Sequence, residues 1–140
     1  MELDAALDFI RSRQNGVLTT LKRDGRPQLS NITYSLGDDG VVRISVTDGR
    51  AKTTNIRRDK RVSLYVTRED FWAYVVVEAD AELSAVASSP DDAAVDELVE
   101  YYRAAAGEHP DWDEYRSVMV SEGRLVIRLR PFRAYGMLGG

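Results

Sequence analysis

Residues 16–47, GVLTTLKRDGRPQLSNITYSLGDDGVVRISVT, decide the fold of this chain, because they contain three strand patterns joined by two short turns. Strands are predicted over residues 16–22, 26–36 and 41–47, where β-branched and apolar side chains are frequent. Arg23-Asp24-Gly25 and the GDDG sequence at residues 37–40 are typical of the turns between them. Strands joined by such short turns run antiparallel. The framework is therefore predicted to be an antiparallel sheet.

Three further strands complete the predicted sheet. Apolar and polar side chains alternate over residues 62–66 and 72–83, and again over residues 125–135. Pro131 in the last of these indicates an edge or a bend. A parallel doubly wound sheet would need helices between most strands, and the opening strands have none. The sequence therefore predicts a mainly β fold, a six-stranded antiparallel barrel with peripheral helices.

Three or four helices are predicted around this barrel. The signals are the helical spacing of apolar residues and the residue types that begin or end helices. They place helices over residues 3–13, from Arg50 through a basic segment, from a Ser89 cap and Pro90 to Gly107, and from Pro110 onward.

Length and composition restrict the possible functions. The 140 residues are expected to form one domain, residues 1–140, with 44% hydrophobic and 30% charged residues as in an ordinary soluble protein. The absence of cysteine excludes disulfides and thiolate sites, and the single histidine, His109, cannot supply a histidine-rich metal site. The sequence has neither an apolar run of about 20 residues nor a signal-peptide pattern. A cytoplasmic protein with no membrane partner and no bound metal is expected.

A basic segment at residues 48–61, DGRAKTTNIRRDKR, follows the third strand. Its residues 50–61 hold six basic side chains and one acidic one, although the whole chain has a net charge of −4. Concentrated positive charge on an acidic protein favours a specific anionic ligand over nucleic acid, which attracts a broad basic face. A helix N-terminus at Arg50 adds unpaired N–H groups that suit phosphate. A solvated surface helix is the alternative interpretation.

Ser45 lies just before this segment in the predicted strand 41–47. Val42, Ile44 and Val46 share one face of that strand, so Ser45 points to the other face. We therefore expect Ser45 to line the same site as the basic segment.

Four segments resemble a known family in register over most of the chain: GVLTT at residues 16–20, DGRPQLSN at 24–31, RAKT with NIRRD at 50–59, and AAGEHPDWD at 105–113. With them the sequence resembles the small split-barrel flavin and deazaflavin proteins of the pyridoxamine-phosphate-oxidase-like superfamily. The resemblance is closest to the actinobacterial subgroup that binds coenzyme F420, a deazaflavin with an oligoglutamate tail. It implies an FMN-binding split β-barrel.

The resemblance also implies a homodimer with two cofactor sites along the subunit interface. In such proteins the phosphate meets the residues that match Arg50 and Lys52. For Arg57, Arg58, Lys60 and Arg61, contact with the oligoglutamate tail and ordinary surface charge both remain open. The hairpin residues that would lie along the ring system are Arg26, Pro27, Gln28, Ser30 and Asn31, with polar positions on the outer face of a strand as the alternative for the last three. Ser45 and Asn55 match further cofactor contacts. The aromatic Trp72 and Tyr74 match residues that reach the site from the partner subunit, and packing at the interface is compatible with that role.

The function that the resemblance implies is an F420-dependent oxidoreductase. A reduced deazaflavin is a two-electron hydride donor, and the acceptor would be an unsaturated small molecule, with biliverdin-like and quinone-like compounds as candidates. An FMN-dependent oxidase or reductase is the first alternative, because both cofactors carry a phosphate. A carrier that stores F420 without turnover is the second. No Ser/His/Asp set, carboxylate pair or metal cluster is recognised in the sequence, so no catalytic residue or proton donor is assigned.

Overall fold

The computed structural model describes residues 1–139, and it folds mainly as one antiparallel sheet. The strands are β1 Asn15–Leu21, β2 Pro27–Thr33, β3 Ser35–Leu36, β4 Val42–Thr47, β5 Arg61–Thr67, β6 Tyr74–Leu83 and β7 Arg124–Met137. The helices are α1 Leu3–Arg11, α2 Ala51–Arg58, α3 Ala93–Ala106 and α4 Trp112–Ser121. The strand order is β2-β1-β5-β6-β7-β4-β3, and all neighbours pair antiparallel. The predicted mainly β fold with peripheral helices is confirmed.

The sheet curls around its apolar core. Strands β2 and β4 lie far apart in the strand order, yet Asn31 of β2 and Ser45 of β4 line one cavity. Apolar residues from β1, β5, β6 and β7 fill the inner side, including Leu18, Leu64 and Ile127. This half-barrel agrees with the split-barrel fold that was expected.

The sheet has seven strands rather than six, because the predicted second strand is divided at Tyr34. The backbone N–H of Tyr34 donates to the Gln14 carbonyl, and its hydroxyl donates to the Ile10 carbonyl at 2.6 Å. The buried ring thereby fixes α1 to the sheet. The two-residue strand β3 resumes after this interruption and pairs with β4.

Two helices begin later than predicted, because aspartates cap them. Asp92, not Ser89, is the N-cap of α3, and its carboxylate accepts from the Val95 N–H. Asp111 caps α4 in the same way, so that helix begins after Pro110. The end of α3 at Gly107, with a φ of 84°, agrees with the prediction.

The long strand β6 begins at Tyr74 and not at Trp72, which was the predicted start. Asp70 accepts a hydrogen bond from the Trp72 backbone N–H at 3.0 Å, and Phe71 has a φ of 69°. This turn removes Trp72 from the ladder. Further along β6 the pairing with β7 shifts register between Glu78 and Ala79, opposite Pro131, where a bend was predicted.

Helices α3 and α4 cover the outer face of the β4–β7 pair. Val126 of β7 is buried against Leu98 and Met119 in a second apolar cluster. Arg128 also contacts α3, through a hydrogen bond of its Nη2 to the Glu97 carboxylate at 2.6 Å. These two helices form one wall of the candidate site.

Candidate functional site

The candidate site is a groove on the outer side of β2. It consists of two adjoining cavities of about 480 and 400 Å³, which share Asn31, Ile32 and Thr33. The larger cavity extends over β1 and β5, where it is lined by Val17 and Tyr65. The smaller one extends toward β4, α2, α3 and α4. Both volumes lie within the range of small-molecule sites.

A cluster of three cations lies at the α2 end of the groove: Arg50, Lys52 and Arg124. Lys52 and Arg124 line the smaller cavity directly. The pKa of Lys52 is lowered by burial and then by the positive charges of Arg50 and Arg124. In addition, no side chain caps the first turn of α2. This end of the groove is therefore prepared for an anion by side chains and by the helix terminus.

Ser45 and Arg124 meet in this cluster because β4 and β7 are paired. Arg124 lies opposite Thr47 in the ladder, and its Nη1 donates to the Ser45 hydroxyl at 3.3 Å. The Arg124 Nε donates to Glu122 at 2.9 Å. Ser45 thus faces the cavity, as the sequence pattern predicted. It lies beside Arg124, which the pattern did not place there.

Three tyrosines form the helical wall of the smaller cavity: Tyr101, Tyr102 and Tyr115. The Tyr101 hydroxyl donates to the Thr33 carbonyl at 2.9 Å, and the Tyr115 hydroxyl donates to the Leu98 carbonyl at 2.9 Å. Burial raises the pKa of Tyr101, and it raises the pKa of Tyr115 to about 12. Both hydroxyls are therefore neutral near pH 7. Together the rings give the cavity an aromatic side.

The five predicted hairpin contacts do not share one face. Asn31 is exposed and lines both cavities, whereas Gln28 and Ser30 are half-buried on the opposite face of β2 together with Ile32. Pro27 is exposed as the first residue of β2, and Arg26 is exposed just before it. Since successive side chains of a strand alternate, Asn31 cannot point the same way as its neighbour Ser30.

Asn55 lies on the buried face of α2 and does not line the groove. The side chain is buried, its Nδ2 donates to the Thr20 hydroxyl at 3.1 Å, and its Oδ1 accepts from Arg58 at 3.1 Å. Both ends of the amide thus have protein partners. The structure uses Asn55 to fix α2 against β1.

The two predicted aromatic contacts differ in their surroundings. The Tyr74 ring lies 5.7 Å from the ring of Tyr65, which lines the larger cavity. Trp72 is 76% exposed and lines a separate cavity with Arg68 and Met137. Trp72 therefore lies outside the groove of its own chain.

The second half of the basic segment is engaged within the chain. Arg57 pairs with Asp48, Arg61 with Asp59 at 2.8 Å, and Lys60 with Asp80 at 3.8 Å. Arg58 donates to the Leu21 carbonyl at 2.6 Å. By contrast, over residues 1–139 neither Arg50 nor Lys52 is ion-paired with a carboxylate.

Sequence reasoning did not identify Tyr101 or Arg124 as groove residues. Tyr102 and Tyr115 fit the helical spacing of apolar residues in α3 and α4, which indicates packing and not a site. Tyr101 is adjacent to Tyr102, and Arg124 reaches the site only through its pairing opposite Thr47. The sequence does predict a strand near Leu125, next to Arg124. Local sequence does not show which strand it pairs with, so it could not place Arg124 beside Ser45.

Metal and membrane features are absent from the part of the chain that the structure describes. Among residues 1–139, no three His, Asp or Glu side chains come together as a possible metal site. None of the helices in that range has the length and apolar character needed to span a membrane.

Comparison with known proteins gives one family and several similar structures. The family model described as pyridoxamine 5'-phosphate oxidase matches residues 3–137. A conserved hypothetical protein from Mycobacterium tuberculosis superimposes with a TM-score of 0.73 at 23% identity, over 98% of this chain and 84% of that one. A protein titled F420 reductase gives 0.64 at 24% identity, over 91% and 94%. A putative pyridoxamine 5'-phosphate oxidase from Listeria innocua gives 0.66 at 20% identity, over 95% of each chain.

Proposed function

Because the chain belongs to the pyridoxamine 5'-phosphate oxidase family, we propose that it is an oxidoreductase that uses reduced coenzyme F420 to transfer a hydride to an unsaturated organic acceptor. One observation carries this proposal: the cation cluster of Arg50, Lys52 and Arg124 lies at one end of a groove whose far end is lined by Val17 and Tyr65. Such a groove suits a ligand with a phosphate at one end and a flat ring at the other.

The residues present fit such a ligand. Arg50 and Lys52 would hold the phosphate, Ser45 would add a hydroxyl, and Asn31 would offer an amide where the two cavities join. When bound, the reduced deazaflavin supplies the hydride. The chain contributes binding and orientation, because a fixed ring presents one face to the acceptor.

Contact of the ring with Arg26, Pro27, Gln28 and Ser30 remains part of the proposal. Strand β2 ends the sheet order, so one of its edges is not covered by another strand. A ring that passes over this edge would meet residues from both faces of β2. Asn55 would act indirectly, by holding α2 in place.

The acceptor is proposed to be a biliverdin-like or quinone-like compound, and solvent is proposed as the proton source. The Tyr101 and Tyr115 hydroxyls donate to backbone carbonyls. Neither is free to deliver its proton without losing that bond.

The choice of F420 over FMN is supported by the sequence resemblance and by the structural similarity to an F420 reductase. The choice of F420 does not depend on contacts with its tail. The basic residues that could make them each have a partner within the chain: Arg57, Arg58, Lys60 and Arg61. FMN is the second candidate because the cation cluster suits any phosphate ester. A carrier role without turnover is the third.

The proposal includes a homodimer. Leu29 and Met137 are 60% and 61% exposed on the outer side of the sheet, and Phe71 and Trp72 project nearby in the β5–β6 turn. Helices α3 and α4 cover only the β4–β7 part of that side. A second copy that covers the apolar residues would bring Trp72 and Tyr74 toward the partner's groove.

The dimer is tested by light scattering during size-exclusion chromatography. We expect wild type to elute as a dimer and Met137→Glu as a monomer, while Ser12→Glu at the exposed end of α1 remains dimeric. A monomeric wild type at micromolar concentration would contradict this part of the proposal.

Cofactor choice is tested by fluorescence titration of the purified protein with F420 and with FMN. Sub-micromolar binding of F420 is expected. Sub-micromolar binding of FMN with no binding of F420 would favour the second candidate instead.

Turnover is tested separately by following the absorbance of reduced F420 with a series of acceptors. Steady oxidation that depends on the acceptor and on protein concentration would exclude a pure carrier. Binding of F420 without oxidation in the presence of any acceptor would support the carrier.

A further inference from the structure

Arg124 lies outside the basic segment, on a strand from the other end of the chain, yet it lines the same cavity as Lys52. We propose that Arg124 is a third ligand of the phosphate ester, so that the anion is held between α2 and β7 and not by α2 alone. This inference rests on the proposed function of the groove. It adds a phosphate ligand that neither the charge pattern nor the sequence resemblance assigned.

The position of Arg124 is set by the β4–β7 ladder and by two hydrogen bonds. The residue lies opposite Thr47, its Nη1 donates to the Ser45 hydroxyl at 3.3 Å, and its Nε donates to Glu122 at 2.9 Å. No residue within 1–139 accepts a hydrogen bond from its Nη2. The guanidinium is therefore oriented on two sides and retains a donor for a ligand in the cavity.

The charge balance of the cluster also favours an anion. Arg50, Lys52 and Arg124 place three positive charges together, and the Glu122 carboxylate, bonded to Arg124, offsets one of them. The pKa of Lys52 is lowered by burial and by the positive charges of Arg50 and Arg124. A phosphate placed among the three cations would relieve this repulsion, whereas a neutral ligand would not.

A purely structural role for Arg124 is disfavoured by its partners. Its ion pair with Glu122 is partly solvent-exposed, at 31% and 45% for the two side chains, and such pairs add little to stability. The Ser45 contact is a long hydrogen bond. Arg124→Gln should therefore fold, and its effect should be on the ligand.

The test compares ligands that differ in the phosphate. Dissociation constants are measured for FMN against riboflavin, and for F420 against the 5-deazariboflavin that lacks phosphate and tail, with wild type and with Arg124→Gln. The matched control is Arg130→Gln, which removes an exposed arginine of the same strand that pairs with Glu82 at 3.5 Å. Thermal unfolding is recorded for each variant.

Arg124→Gln is expected to reduce the preference for the phosphate-bearing ligand about 10-fold, the lower end of the range for a charge-assisted hydrogen bond. The affinity for the phosphate-free ligand should change less than twofold, and Arg130→Gln should behave as wild type. Arg124→Lys, which keeps the charge but loses the planar fork, should retain part of the preference. This second variant decides the question if Arg124→Gln unfolds.

Two negative outcomes are distinct. A wild-type protein that shows no preference for phosphate in either ligand pair would overturn the proposed function and this inference with it. A wild-type preference that survives in Arg124→Gln within twofold would overturn only the role of Arg124. Should Arg124→Lys be the only folded variant, a partial loss of the preference would support the role of Arg124, and retention of the full preference would overturn a contact made by its guanidinium.

Discussion

Residues 50–52 and residues 57–61 belong to one basic segment but have different surroundings. Lys52 lines the groove with Arg50 close enough to affect its pKa, and neither has a carboxylate partner within residues 1–139, whereas Arg57, Lys60 and Arg61 each pair with an aspartate. The partners come from β6 and from turns, so local sequence does not reveal all of them. A run of charges in sequence therefore overstates the positive charge that is available to a ligand.

The largest effect expected from this comparison is that of Lys52→Ala. Loss of a charge-assisted hydrogen bond to the phosphate should weaken cofactor binding by about 1.5–3 kcal/mol. Lys60→Ala in the other half is the matched control and should bind as wild type, since Lys60 is exposed and lies near Asp80. The measurement is a fluorescence titration at constant ionic strength. Equal cofactor affinities for Lys52→Ala and Lys60→Ala would contradict the distinction between residues 50–52 and residues 57–61.

Asn55→Ala tests the residue between the two halves. Its removal leaves the buried Thr20 hydroxyl without its donor and frees Arg58, so unfolding free energy should fall by about 1–3 kcal/mol. Affinity for the cofactor, measured where the variant is fully folded, should change far less. Urea unfolding gives the first quantity and titration the second. A loss of affinity without a loss of stability would show direct contact with the ligand.

The pH dependence of cofactor affinity should depend on residues 50–52 and not on residues 57–61. Lys52 must be protonated to attract phosphate, so affinity should fall as the pH rises through its lowered pKa. Above pH 8 the phosphate does not titrate, because a monoester has its second pKa at about 6 and a diester has no second ionisation. Arg50→Gln removes a neighbouring positive charge and should move this decline to higher pH. Arg57→Gln should leave the position of the decline unchanged, and a shift there would contradict the assignment.

The smallest effect is expected for Arg57→Ala. Its ion pair with Asp48 is about half exposed on both sides, so stability should change by no more than about 0.5 kcal/mol. Cofactor affinity should stay within twofold of wild type. If a long-tailed cofactor lost affinity with this variant and a tailless one did not, Arg57 would be assigned to the tail.

Local sequence was sufficient for the hairpins and for the position of Ser45, because turn residues and period-two alternation act over a few residues. It was insufficient at Tyr34, where the strand is interrupted and the buried side chain bonds to the Ile10 carbonyl, and at Asp92 and Asp111, which compete with nearby capping signals. Alternation also separates Ser30 from Asn31, although both belonged to the motif of the resemblance. Arg124 could not be assigned, since its place depends on which strand β7 joins.

The β4–β7 pairing also has a consequence for the order of events in folding. Ser45 and Lys52 are made early in synthesis, but Arg124 joins them only when the last strand adds to the sheet. Before that step the nascent chain has half of an anion site and should bind cofactor weakly. Added cofactor should therefore slow unfolding of the finished protein more than it speeds the first stages of folding. Cofactor capture would then mark the completion of the sheet.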